Sequence, residues 1–207
     1  MTRSLESSSI KPKIPIILAS GSESRKQMLE EAGIIFEVIV SSTDEELLKN
    51  KISSLPFSEQ VIHLARAKAK FISEENPHHV IIGGDQMCVY GDKLLNKPGT
   101  KKKAIESLKV LSNQKHYQHS GVCIFKSGEC LWEYSETVEL KMHNLSDDEI
   151  KNYVDMENPI NAAGAYKFES LGCNLFEYVN GSSHTVRGMP LISLLSALRD
   201  LDVIGLE

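Results

Sequence analysis

The run Val80-Ile81-Ile82-Gly83-Gly84-Asp85 constrains this chain more than any other segment, because it sets a β-branched stretch against two glycines and a single carboxylate. Such a stretch favours a buried strand, and the glycines remove side chains so that backbone or ligand can come close. The spacing predicts a strand that ends in the glycines and carries Asp85 at its tip, at a sheet edge and outside any helix. Residues 87–90 and 93–95 flank Gly91-Asp92, the pattern of a tight hairpin whose glycine supplies a positive φ. That hairpin turns Lys97 back towards Asp85. Asp85 then either serves chemistry in a cleft or caps a turn, as aspartates after glycine do.

At 207 residues and 41% hydrophobic, the chain can bury a sizeable core and fold alone. A formal charge of −5 argues against a nucleic-acid surface, which needs a concentrated basic face. Locally converging cations can still hold a small anion. Cys88, Cys123, Cys130 and Cys173 form no CxxC pair, and most lie in apolar, strand-like stretches, so they read as reduced core residues. No zinc signature accompanies the histidines, and His116 and His119 fall on an extended segment. Residues 1–13 are polar, without the apolar core of a signal peptide, and no segment is long and apolar enough to span a bilayer. The expected compartment is the cytoplasm.

Residues 14–19 read as a strand, followed by a small polar loop, Ser20-Gly21-Ser22-Glu23-Ser24, and a helix with Met28, Leu29 and Ala32 on one face before Gly33. Amides at such a helix start attract phosphate and Arg25 adds a forked cation, although an ordinary serine cap with a solvated arginine gives the same pattern. Residues 34–40 suggest a second strand. The acidic group Asp44, Glu45 and Glu46 after it suits either a hard cation or a helix dipole. Over residues 58–73, Val61, Leu64, Ala65, Ala69 and Ile72 make a helical stripe with Lys68 in its midst. Lys68 either snorkels to water or faces a polar cleft, where it would bind a polyanion.

Residues 100–111 look helical, and two long strands over 117–125 and 130–142 meet at Lys126-Ser127-Gly128. Ser146 to Glu149 reads as a capping box. A glycine-bearing loop over 159–172 holds Tyr166, Lys167 and Glu169, residues 173–179 suggest another strand, and Pro190 starts a final helix. The sum is an α/β protein whose long hairpin makes the sheet mixed.

Taken together, Leu18-Ala19-Ser20 with Ser22 and Arg25, Thr43-Asp44-Glu45, Leu64-Ala65 with Lys68-Ala69, Gly84-Asp85-Gln86, Asn96-Lys97-Pro98 and Ala163-Gly164-Ala165-Tyr166 resemble the Maf family from about residue 14 to 205. These are nucleotide pyrophosphatases related in fold to the inosine triphosphate pyrophosphatases. The resemblance implies one domain over 14–207, a strongly twisted mixed sheet with flanking helices, and a cleft between two lobes. It implies hydrolysis of a nucleoside triphosphate to the monophosphate and pyrophosphate, assisted by a divalent metal, Mg or Mn.

By resemblance Asp85 is the base that readies water and also touches the metal. Glu45 is the dedicated metal ligand, and Ser20, Arg25, Lys68 and Lys97 surround the triphosphate. Ser24, Gln86 and Glu169 fall on base-specificity positions. Gln86 and Glu169 match the branch resembling 7-methyl-GTP pyrophosphatases, whereas Ser24 stands where that branch carries tryptophan. The same chemistry on dTTP, UTP or CTP is the alternative reading, and a non-hydrolytic regulator of cell division is a more distant one. Charge and the lack of a long apolar segment lead to the expectation of no nucleic-acid or membrane partner, and a homodimer is left open.

Overall fold

The computed structural model of the chain describes residues 9–206. The polar stretch expected over residues 1–13 lies outside the described residues for its first eight positions, and Ile10 already pairs with Ile34 in an isolated bridge. No helix among the described residues is long and apolar enough to cross a membrane.

A mixed sheet organises the chain. β1 (Ile16–Leu18) lies between β2 (Glu37–Val38) and β3 (Val80–Tyr90), parallel to both. β3 then pairs antiparallel with β5 (Lys115–Lys126), which continues through β6 (Glu129–Met142) to β7 (Phe176–Asn180). The short β4 (Lys93–Leu95) folds back on the end of β3. Gly91 at φ 58° makes that first hairpin turn, and Ser127 at 51° with Gly128 at 80° makes the β5–β6 turn, the positive pair a two-residue loop requires.

Helices cover both faces. α1 (Glu23–Glu31) and α7 (Leu191–Asp200) pack Met28, Leu29, Leu194 and Leu198 against Ile16, Leu18, Ile82 and Ile124. α3 (Phe57–Glu75) lays Ala65, Ala69 and Ile72 on the opposite face, against Ile17, Ile81 and Cys123. α4 (Lys101–Leu111) and α5 (Asp147–Glu157) close a further core over the distal half of β5 and β6. The capping box of Ser146 and Glu149 forms as expected. Of the remaining helices, α2 (Glu45–Lys51) opens at the Asp44 cap and α6 (Ser183–Val186) is a single turn.

Several expectations need correction. The strand that begins at Val80 does not end at the glycines but runs through Asp85 to Tyr90, because β5 supplies a ladder partner along its whole length. The strand expected over 34–40 shrinks to Glu37–Val38, both exposed at the sheet's margin, where one neighbour leaves few ladder bonds to make. Residues 171–175 wind into a 3-10 turn before β7 begins, which leaves Cys173 exposed rather than in the core; Cys130 is half-buried, and Cys88 and Cys123 are buried as expected.

Candidate active site

Asp85 owes its setting to a gap beside its strand. On one side of β3 the partner β1 pairs only as far as Ile82, and β4 begins only at Cys88, so residues 83–87 have a free edge there. The expectation of an edge position thus holds locally, although the strand is continuous. Strand alternation puts Ile81, Gly83, Asp85 and Met87 on the α3 face, and Ile82, Gly84, Gln86 and Cys88 on the other.

Two glycines let α3 lie directly on that face. A Cβ on Gly83 would stand 2.4 Å from the Ala65 carbonyl oxygen, and one on Gly121, the cross-strand partner of Asp85, 2.8 Å from the Val61 backbone. This close approach carries Lys68 to Asp85. Its Nζ donates to Asp85 Oδ1 at 2.7 Å and lies 2.9 Å from Glu45 Oε1 at the start of α2. Lys68 therefore turns inward to these two carboxylates rather than extending into water. Its side chain is 11% exposed and that of Asp85 10%, so the pair is sheltered yet reachable.

Burial alone would push the Glu45 carboxyl up, but the Lys68 hydrogen bond and charge, helped by Lys49 and Lys97, hold it below the usual carboxylate range. That influence is the tie between exposed Lys97 and the cluster.

From the other side of the free edge comes Arg25, in the first turn of α1. Ser22 caps this helix, accepting from the Arg25 amide, and the Arg25 side chain folds across Gly84, where a Cβ would stand 3.1 Å from its Nε. Its Nε donates to the Gly188 carbonyl at 2.8 Å and its Nη1 to Ser20 Oγ at 2.9 Å. Burial lowers its pKa, opposed by the charges of Asp85 and Glu45.

Ser20, Arg25, Glu45, Lys68 and Asp85 thus converge from the β1–α1 loop, α1, α2, α3 and β3, with Lys97 near. Ser24 and Gln86 turn instead to the segment after α6: Ser24 Oγ donates to the Arg187 carbonyl at 2.9 Å, and Gln86 Nε2 to the carbonyls of Thr185 and Val186 at 3.1 and 2.8 Å. Glu169 is exposed on the loop beyond Tyr166, where its charge acts on Tyr153, and among the described residues it makes no hydrogen bond or ion pair with the cluster. The sequence reading missed residues 185–188, which meet the site through main-chain carbonyls; Gly188, at φ 113°, is their one visible sign.

The residues suit a hard divalent cation. Glu45 and Asp85 already gather on one positive group, the Lys68 ammonium. Among the described residues no cluster of three or more His, Cys, Asp or Glu could hold a metal ion, so water and substrate oxygens would complete the coordination of magnesium or manganese. The arrangement can bind a polyanion against Arg25, Ser20 and Lys68, and offers Asp85 Oδ2, the oxygen not bonded to Lys68, as a proton acceptor.

The family described as Maf-like protein matches residues 15–201. A nucleoside triphosphate pyrophosphatase of Legionella pneumophila (strain Corby) is 41% identical over 192 residues, covering 93% of this chain and 96% of its own. One of Nitrobacter hamburgensis is 35% identical over 194 residues, with coverage of 93% and 96%. A dTTP/UTP pyrophosphatase of Bacillus anthracis is 35% identical over 188 residues, covering 91% and 96%. Among solved structures, a HAM1 protein from Coxiella burnetii aligns with 64% of this chain and 74% of its own at 13% identity and a TM-score of 0.41, too loose a likeness to add to the sequence match. On the match across residues 15–201 and these relatives of nearly equal length, the chain belongs to the Maf family.

Proposed function

We propose that this chain is a nucleoside triphosphate pyrophosphatase acting on 7-methyl-GTP or a related modified guanine nucleotide. The observation that carries the reading is Lys68 bridging Asp85 at 2.7 Å and Glu45 at 2.9 Å beside buried Arg25. A sheltered carboxylate held among fixed cations is what attack by water on a polyphosphate needs.

The reaction divides among the chain's own residues. Arg25, Ser20, Lys68 and Lys97 hold the triphosphate and keep its reacting phosphorus within reach of Asp85. Water attacks the α-phosphorus while Asp85 Oδ2 accepts its proton. The bond from that phosphorus to the α–β bridging oxygen breaks, and its electrons leave with pyrophosphate, whose growing charge the same cations meet. The Lys68 hydrogen bond to Oδ1 keeps Asp85 oriented. A magnesium or manganese ion held by Glu45 and Asp85 would, when bound, polarise phosphate oxygens and orient the water.

Base choice is assigned to Glu169, whose carboxylate can accept from both N1–H and the amino group of guanine and is favoured further by the positive charge of N7 methylation. Its loop is firmly held, since the Lys167 amide donates to the Tyr153 hydroxyl at 2.9 Å and Lys167 Nζ to the Glu157 carbonyl at 2.9 Å. A second reading, the same chemistry on dTTP, UTP or CTP, is favoured by the Bacillus anthracis relative and by the small Ser24, which offers no ring to stack on a methylated base.

Pyrophosphate release measured across ordinary and modified nucleoside triphosphates, with magnesium and manganese compared, tests both. Fastest turnover of 7-methyl-GTP is the expected result. A preference for pyrimidines moves the assignment to the second reading, and the absence of pyrophosphate from every nucleotide overturns both.

A further inference from the structure

Four consecutive backbone carbonyls, those of Thr185, Val186, Arg187 and Gly188, are each met by a side chain from another part of the fold. Thr185 accepts from Ser120 Oγ at 2.8 Å and Gln86 Nε2 at 3.1 Å, and Val186 accepts from Gln86 Nε2 at 2.8 Å. Arg187 accepts from Ser24 Oγ at 2.9 Å, and Gly188 from Arg25 Nε at 2.8 Å. A helix end leaves its last carbonyls without intrahelical partners, and the negative end of the peptide dipoles suits a cation. Here the short α6 spends those carbonyls on a row of donors that ends in Arg25. The Thr185 hydroxyl also donates to the Glu136 carboxylate, which ties the segment to β6. Gly188 is required where it lies, because its φ is 113° and a Cβ would stand 3.2 Å from Gln86 Oε1.

We propose that Gln86, Ser24 and Ser120 are positioning residues for Arg25: they clamp the carbonyls of residues 185–187 so that the carbonyl of Gly188 fixes Nε and aims the outer guanidinium nitrogens at Ser20 and the triphosphate. The proposal rests on the reading of Arg25 as a triphosphate ligand, and it gives Gln86 an indirect part in substrate choice. With two carbonyl oxygens facing it, the side-chain amide must present its NH2 there, so neither hydrogen is left to read a base. Ser120 is wholly buried and cannot touch substrate at all.

The test uses tripolyphosphate, a probe with no base, in calorimetric binding to the full chain, alongside kcat/KM for 7-methyl-GTP, GTP and UTP. Gln86→Leu, Ser120→Ala and Ser24→Ala are each expected to weaken tripolyphosphate binding by about tenfold, the scale expected from a small misalignment. They should lower kcat/KM by one common factor on all three nucleotides and add no further loss in an Arg25→Met background. Ser24→Thr, which keeps the hydroxyl on an accessible helix turn, should bind tripolyphosphate as the wild type does. Unchanged tripolyphosphate binding, losses that differ from base to base, or losses that persist without Arg25 would overturn the proposal. Should no nucleotide release pyrophosphate, the assigned activity fails, and tripolyphosphate binding alone decides the positioning.

Discussion

β3 and β5 carry polar residues on both faces, and the two sets are built on opposite principles. On the α3 face Asp85 forms an ion pair with Lys68 at the free edge of β3. On the other face His116, Gln118 and Ser120 lie sealed in the core, with no charged partner among their hydrogen bonds: Gln118 Nε2 donates to the Tyr166 hydroxyl at 2.7 Å, and His116 Nε2 lies 3.0 Å from it. Burial there pushes the His116 pKa down to about 4. Charge is retained where an opposite charge pairs with it, whereas the enclosed face bonds its polar atoms to neutral groups and leaves His116 Nδ1 and Gln118 Oε1 without a hydrogen-bond partner among the described residues. Neighbouring positions on one strand can therefore hold an ion pair on one face and a neutral network on the other.

The sharpest way to break this contrast is to neutralise the charged face. Asp85→Asn keeps size and shape but cannot take a proton, and kcat should fall by about 10² to 10⁴ while nucleotide binding stays measurable. Steady-state kinetics with a separate binding titration would show it, and wild-type turnover would remove Asp85 from its role.

The enclosed face should answer to pH instead. Unfolded His116 titrates near 6.5 and folded His116 near 4, so as pH falls between these values the unfolded chain takes up a proton that the folded chain refuses. The stability contributed by neutral His116 is thus whole above about pH 6.5 and drops by about 3 kcal/mol on reaching pH 4. Urea denaturation across that range should show the drop in wild type and a flatter profile in His116→Gln; parallel profiles would place the titration elsewhere.

What could be read in the sequence follows the same division between side chain and backbone. The stripe of α3 and the inward position of Lys68 were legible because helical spacing repeats in residue type, and both hairpins announced themselves through glycine. Asp85 and Arg25 were legible as chemistry, but their meeting was implied only by the family resemblance and not by spacing, since it depends on a gap between β1 and β4 along an unbroken strand. The segment 185–188 left almost no trace, because it contributes carbonyl groups that every residue has. β2 was overread for a related reason: the apolar pattern of residues 34–40 is real, yet at the sheet margin only Glu37 and Val38 find ladder partners.

The close seating of α3 offers a smaller perturbation that reaches the site from the core. Gly83→Ala would place a methyl 2.4 Å from the Ala65 carbonyl oxygen and 2.8 Å from the Ala69 Cβ. The helix must lift, at a cost of about 1 to 3 kcal/mol in stability. Because Lys68 rides on that helix, kcat should fall along with the melting temperature. A variant that is destabilised but fully active would show that the Lys68–Asp85 contact tolerates displacement.

The smallest expected effect concerns Glu169, which is exposed and, among the described residues, makes no hydrogen bond or ion pair with the charged cluster. Replacing it with glutamine keeps one acceptor and adds a donor, so guanine loses one of its two hydrogen-bond acceptors while uracil, with one N–H between two carbonyls, gains a better complement. The ratio of kcat/KM for 7-methyl-GTP to that for UTP should fall by about tenfold, the scale of one hydrogen bond to a charged group. The change should appear in that ratio while the slower of the two substrates still turns over, because Arg25, Lys68 and Asp85 are untouched. An unchanged ranking would mean that the exposed carboxylate does not read the base, and selection would then have to come from groups around the free edge of β3.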